Sequence, residues 1–155
     1  MGYNVIDIIN KGIDIASRRK TIFENIELEK CDIPSIKIIS KVLIKEVDRT
    51  IEYYNILKKE IGNEEFEEID FAIYDKMAFL INEFNKRIFV PEITNVREFL
   101  EFSLDLEKDA YSLLIDIQGR FVKKTSDIHT KTYKILSDII NNIDSHITTL
   151  EKTLK

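Results

Sequence analysis

The stretch GIDIASRRKTIFENI at residues 12–26 has an echo later in the chain, FSLDLEKDAYSLLID at 102–116; with the second moved by one residue, Ala16 stands against Glu107. A second pair, LIKEVDRTIEYY at 43–54 and IINNIDSHITTL at 139–150, sets Arg49 against His146 and Glu46 against Ile143 with the same shift. In each stretch apolar residues recur at the three-and-four spacing of one helix face. A helix pair that occurs twice implies an all-α four-helix bundle. Acids and an imidazole at the echoed positions imply a carboxylate and imidazole metal site at its centre.

Length and composition agree. The chain has 155 residues, 44% of them apolar, which is enough for one domain with a real core, taken as residues 1–155. Four glycines and two prolines leave little turn chemistry for a many-stranded sheet. The 23 basic and 28 acidic residues give a net charge of −5, with no long basic block, which excludes a phosphate backbone as the main partner. The start MGYNVIDIIN lacks a secretory pattern, Ile6 stands where a myristoylation signal needs a small hydroxyl residue, and no apolar run is long enough to span a bilayer. A cytoplasmic protein without membrane contact is expected. Cys31 is the sole cysteine, so neither an internal disulfide nor a thiolate metal cluster can form.

Punctuation sets the helix boundaries. Val5, Ile8, Ile9, Gly12, Ile13, Ala16, Phe23 and Ile26 give a first helix over about 4–29. Asp32 is the expected N-cap of the second, with Pro34 in its first turn and Gly62 past its end. Its stripe is Ile39, Leu43, Glu46, Thr50, Tyr53 and Leu57. Asn63 restarts a third helix of roughly 25 residues whose stripe runs from Phe66 through Ile69, Ile73, Met77, Leu80 and Phe84 to Ile88; at 1.5 Å per residue it covers close to 40 Å, the length of a bundle. Asn95 with Glu98 reads as a capping box for a fourth helix. Thr125 or Ser126 caps the last, with Ile135, Ile139, Ile143, His146, Leu150 and Leu154 on one side and His129 exposed in its first turn. The order is hairpin, helical crossover between the second and third bundle helices, hairpin.

That order, with these polar residues, resembles the ferritin-like superfamily and its rubrerythrin-type members. The resemblance covers almost the whole chain and implies two antiparallel hairpins around a di-iron carboxylate site, with one Glu on the first and third bundle helices and Glu-x-x-His on the second and fourth. Carried over residue by residue, it places Ala16 at the first Glu, Glu46 and Arg49 at the first pair, Glu107 at the third-helix Glu, and Ile143 and His146 at the second pair. Glu46, Glu107 and His146 survive as metal ligands for at most a single divalent ion: iron, manganese or zinc. The rubredoxin-like tail with its cysteines is missing, so the usual electron route has no internal relay.

Charge separates the possible readings. Two carboxylates and one guanidinium leave about one negative charge, or none if His146 is protonated, so no ion is required. Arg49, one turn from Glu46, is the expected metal-replacing cation. The favoured expectation is therefore a bundle that has largely lost its di-metal site and works through protein contacts, as a homodimer through a bundle face or the crossover helix. The alternative is a metal-binding oxidoreductase or iron-handling protein using Glu46, Glu107 and His146. An unrelated helical adaptor, its polar echo accidental, is a third. No phosphate loop, nucleophile elbow or zinc spacing points elsewhere.

Overall fold

The computed structural model describes residues 3–62 and 67–155, and it is all-helical. Asn4 opens α1 (Val5–Glu29) with a capping box: its Oδ1 accepts from the Ile6 N–H, and Asp7 reaches back to the Asn4 N–H. A turn containing the exposed Cys31 leads to α2 (Pro34–Ile61). Its N-cap is Ile33 rather than Asp32, and no side chain caps it, because Ile33 has no polar side chain to accept the free N–H groups of the first turn; proline at the first position at least leaves one fewer of them. Gly62 closes α2 at φ +51°, a conformation an L side chain resists.

The third helix differs most from expectation. Asn63 and Phe66 lie outside the described residues, and α3 spans Phe71–Arg87, 17 residues against the roughly 25 expected. Asp70 caps it through the Ala72 N–H. Ile69, expected inside the helix, instead donates its N–H to the Tyr3 carbonyl at 2.7 Å, while the Tyr3 ring stacks on Tyr74 at 3.7 Å. The remaining elements are α4 (Val96–Arg120), a 3-10 turn (Thr125–His129) and α5 (Lys131–Leu154). Asn95 caps α4 as expected, but Glu98 accepts from the Thr94 N–H rather than from Asn95. Thr130, not Thr125 or Ser126, caps α5, so His129 sits exposed in the 3-10 turn before it.

Cross-helix pairs fix the directions. Lys58 to Asn10 and Lys20 to Asp48 make α1 and α2 antiparallel. Arg97 to the Leu154 carbonyl and Gln118 to Ser137 do the same for α4 and α5. Phe23 meets Phe99 edge-on at 5.6 Å and Arg19 meets Glu107, so α1 also runs against α4, and α2 and α4 are therefore parallel. Parallel neighbours oblige the chain to return along their length. Glu67, which accepts from the Thr132 N–H, lies at the end where α4 gives way to α5; Glu92, paired with Lys30 at 2.8 Å, lies at the opposite end, beside the α1–α2 turn. Helix α3, about 26 Å long at 1.5 Å per residue, covers most of that return.

One continuous core joins the helices. Phe23, Phe99, Met77 and Leu136 are wholly buried, each contributing roughly 1.5–3 kcal/mol over the exposed state. Gly12 matters here for its size: a Cβ would stand 3.4 Å from the Tyr54 ring, so glycine lets that ring lie against α1. No described helix is long and apolar enough to cross a membrane.

Candidate functional site

Each of the four long helices contributes one polar residue to a shared interior point. Arg19 comes from α1, at the centre of a core face that runs Gly12, Ala16, Arg19, Phe23, Ile26. Glu46 comes from the edge of the core face of α2, Glu107 from the core face of α4, and His146 from the edge of that of α5. Arg19 and Glu107 are 8% and 3% exposed, and the Arg19 Nη1 donates to Glu107 Oε1. Glu46 and His146 are half-buried, on the wall of a cavity of about 280 Å³ that also touches Thr50, Tyr53 and Asn142.

The sequence brings Glu46, Glu107 and His146 together as expected. One donor atom from each lies within 4.8 Å of the others. His146 Nδ1 stands 3.6 Å from Glu46 Oε1 and 3.7 Å from Glu107 Oε1, too far for hydrogen bonds. Two donors on one ion at about 2.1 Å can be no more than about 4.2 Å apart, so the histidine-to-carboxylate spacings already suit a shared ion and the carboxylates would close by a few tenths of an ångström. Among the described residues, His146 Nδ1, Glu107 Oε2 and Arg19 Nε are buried without a hydrogen-bond partner. Such atoms are costly unless something reaches them. A second ion would find no ligands at the other echoed positions, because Ala16 and Ile143 are buried apolar side chains.

The interior cation is Arg19, not the expected Arg49. Arg49 is exposed, at the rim of the cavity, and has no ion pair among the described residues, whereas Arg19 holds the carboxylate. The physical reason is helix phase. The core face of α2 is Ser40, Leu43, Val47, Thr50, Tyr54 and Leu57, not the stripe through Glu46 and Tyr53. Glu46 lies on the margin of that face, and three residues on, at about 100° per residue, Arg49 has turned roughly 60° farther toward solvent. The signal for Arg19 was a gap: the apolar stripe of α1 skips one turn between Ala16 and Phe23, and Arg19 fills it inside the basic run SRRK.

Tyr54 completes the interior. Its ring is 3% exposed, and burial raises the phenol above its ordinary range; Arg19 pulls it back and Glu107 pushes it further up. It is a neutral neighbour of the ion pair. Chemically the arrangement is a buried, charge-matched pair with a half-buried glutamate and imidazole beside it, the latter two on the wall of a small cavity. Comparison with protein-family models, with curated proteins and with solved structures finds no match.

Proposed function

We propose that this chain is a ferritin-like, rubrerythrin-related bundle that has given up its di-metal centre and serves as a non-catalytic scaffold for protein contacts, with Arg19 supplying the interior positive charge. The observation that carries the reading is the Arg19–Glu107 pair: a guanidinium that belongs to the fold lies against the most buried carboxylate of the cluster. The direction of the helices supports it, since parallel second and third bundle helices with a helical return are the arrangement of the one-crossover bundles. So does the replacement of the remaining ligand positions by Ala16 and Ile143.

A second reading has its own support. The unpartnered Glu107 Oε2 and His146 Nδ1, together with Glu46, fit one iron, manganese or zinc ion, with Arg19 offsetting part of the carboxylate charge. Such an ion would supply Lewis-acid or redox chemistry. Glu46, Glu107 and His146 would hold it, and the cavity beside Asn142 would admit a small molecule.

Metal analysis of the protein purified without chelators, followed by titration with Fe²⁺ under anaerobic conditions, Mn²⁺ and Zn²⁺, separates the two. The scaffold reading expects no retained ion and dissociation constants weaker than about 0.1 mM. Stoichiometric metal that disappears in His146→Ala establishes the metal-binding reading instead.

A further inference from the structure

Helix α3 rests incompletely on the hairpins. Only Met77 and Ile81 are fully buried along it, and beside it opens a cavity of about 790 Å³ against α4. The floor is apolar, built from Leu80, Phe84, Phe102, Leu106 and Leu113. Phe79 and Phe89 stand at its lips, 54% and 81% exposed. Exposed aromatic side chains beside an apolar floor are the mark of a contact surface, not of a solvated face. Along α4 the groove runs from Glu98 to Leu113, roughly 22 Å of helix, which suits an elongated occupant of about four turns.

Its walls are mainly acidic. Six carboxylates and a single cation, Arg87, line it. Glu83 is engaged by Arg87, Glu92 by Lys30, Glu101 by Arg97, and Glu98 accepts from Thr94. Asp105 and Asp109, one turn apart on α4, have no ion-pair partner among the described residues, and like charges at that spacing repel. Burial, and then Asp105, push the Asp109 carboxyl above its ordinary value. A cation brought between them would relieve both.

We propose that this groove receives a basic amphipathic helix of a protein partner, its apolar face on Phe84, Phe102 and Leu106 and its Lys or Arg flank against Asp105 and Asp109. A second copy of this chain is a poor occupant because both copies carry a net charge of −5. An anionic lipid surface would be repelled by the same walls. The inference names the partner class for the scaffold role proposed above and rests on that reading. Metal analysis tests the scaffold independently: a metal-free protein that ignores the peptide described next defeats the groove alone.

The probe is a fluorescein-labelled Leu/Lys amphipathic peptide of about 18 residues, titrated by anisotropy against the full chain. Saturable one-to-one binding is expected, with a Leu/Glu peptide of the same length and pattern at least about tenfold weaker. Asp105→Asn with Asp109→Asn should weaken the Leu/Lys peptide about fivefold, while Asp138→Asn with Asp144→Asn, which removes the same charge from α5, should leave it within about twofold. Phe79→Ser with Phe89→Ser should weaken both peptides, with unchanged circular dichroism confirming the fold. No saturation by about 100 μM, or equal losses from the two charge-removing pairs, overturns the proposal. So does a wild-type dimer that the phenylalanine changes dissolve, which would assign the groove to a second copy.

Discussion

Replacing Arg19 by methionine keeps an aliphatic stem of similar length and removes the charge, leaving the buried Glu107 without the cation paired with it. The two side chains are 10% and 4% exposed, so water screens little of their interaction. Breaking a buried pair by deleting one partner costs about 3–5 kcal/mol, mostly because the surviving charge is uncompensated. At about 2.1 cal/mol/K per residue over 155 residues, the entropy of unfolding is roughly 0.33 kcal/mol/K, so Tm should fall by about 9–15 °C. Replacing both partners, Arg19→Met with Glu107→Leu, should recover most of that loss, since a well-packed apolar pair is often as stable as a buried ionic one. Urea denaturation of the wild type, both single variants and the double closes the cycle. Arg19→Met should also bind Zn²⁺ or Mn²⁺ more tightly than wild type, since a repelling cation has gone; at a hundredfold excess over the dissociation constant such an ion restores about 2.7 kcal/mol. An Arg19→Met variant that loses less than about 1 kcal/mol without metal would refute the premise that this guanidinium neutralises Glu107.

Two further outcomes follow from the helix ends. Gly62→Ala forces a side chain onto φ +51° at the end of α2 and should cost about 1–2 kcal/mol, read from the urea midpoint; no change would mean the backbone there adopts another conformation. Glu98 accepts from the Thr94 hydroxyl and N–H, which hold its carboxyl below the ordinary range. A carboxyl lowered in the folded state stabilises it above the unfolded pKa, about 4.3, and that contribution vanishes as pH falls through the folded value. The Tm of Glu98→Gln should therefore lie below wild type at neutral pH and converge on it in acid; a gap that ignores pH would contradict this.

Much of the fold could be read directly because the long helices carry strong apolar periodicity and clear end signals. Asn95 and Gly62 mark real termini, and α1 begins within a residue of its expected start. Helix α3 was overextended because Ile69 continues the spacing of Ile73 and Met77, yet its N–H is held by Tyr3, a pairing between distant residues that periodicity cannot reveal. The cluster of Glu46, Glu107 and His146 is legible because these polar residues stand at the echoed positions of the two helix pairs, where the ferritin-like pattern expects ligands. Arg19 was missed for the converse reason: it lies within a basic run that reads as a solvated face, and only the missing turn between Ala16 and Phe23 marks it as interior. Arg49 looks interior only if the stripe of α2 is drawn through Glu46, whereas the true core face runs through Val47 and Thr50.

The placement of Tyr54 gives the molecule an internal optical reporter. The chain has no tryptophan and six tyrosines, so its near-ultraviolet signal comes largely from phenols. Tyr54 alone among them is nearly sealed from solvent while touching the field of a buried guanidinium and carboxylate. In an alkaline absorbance titration this ring should ionise last, with the collapse of the fold. Its fine-structure band should shift whenever the charge at the centre changes, whether through substitution or through an arriving cation.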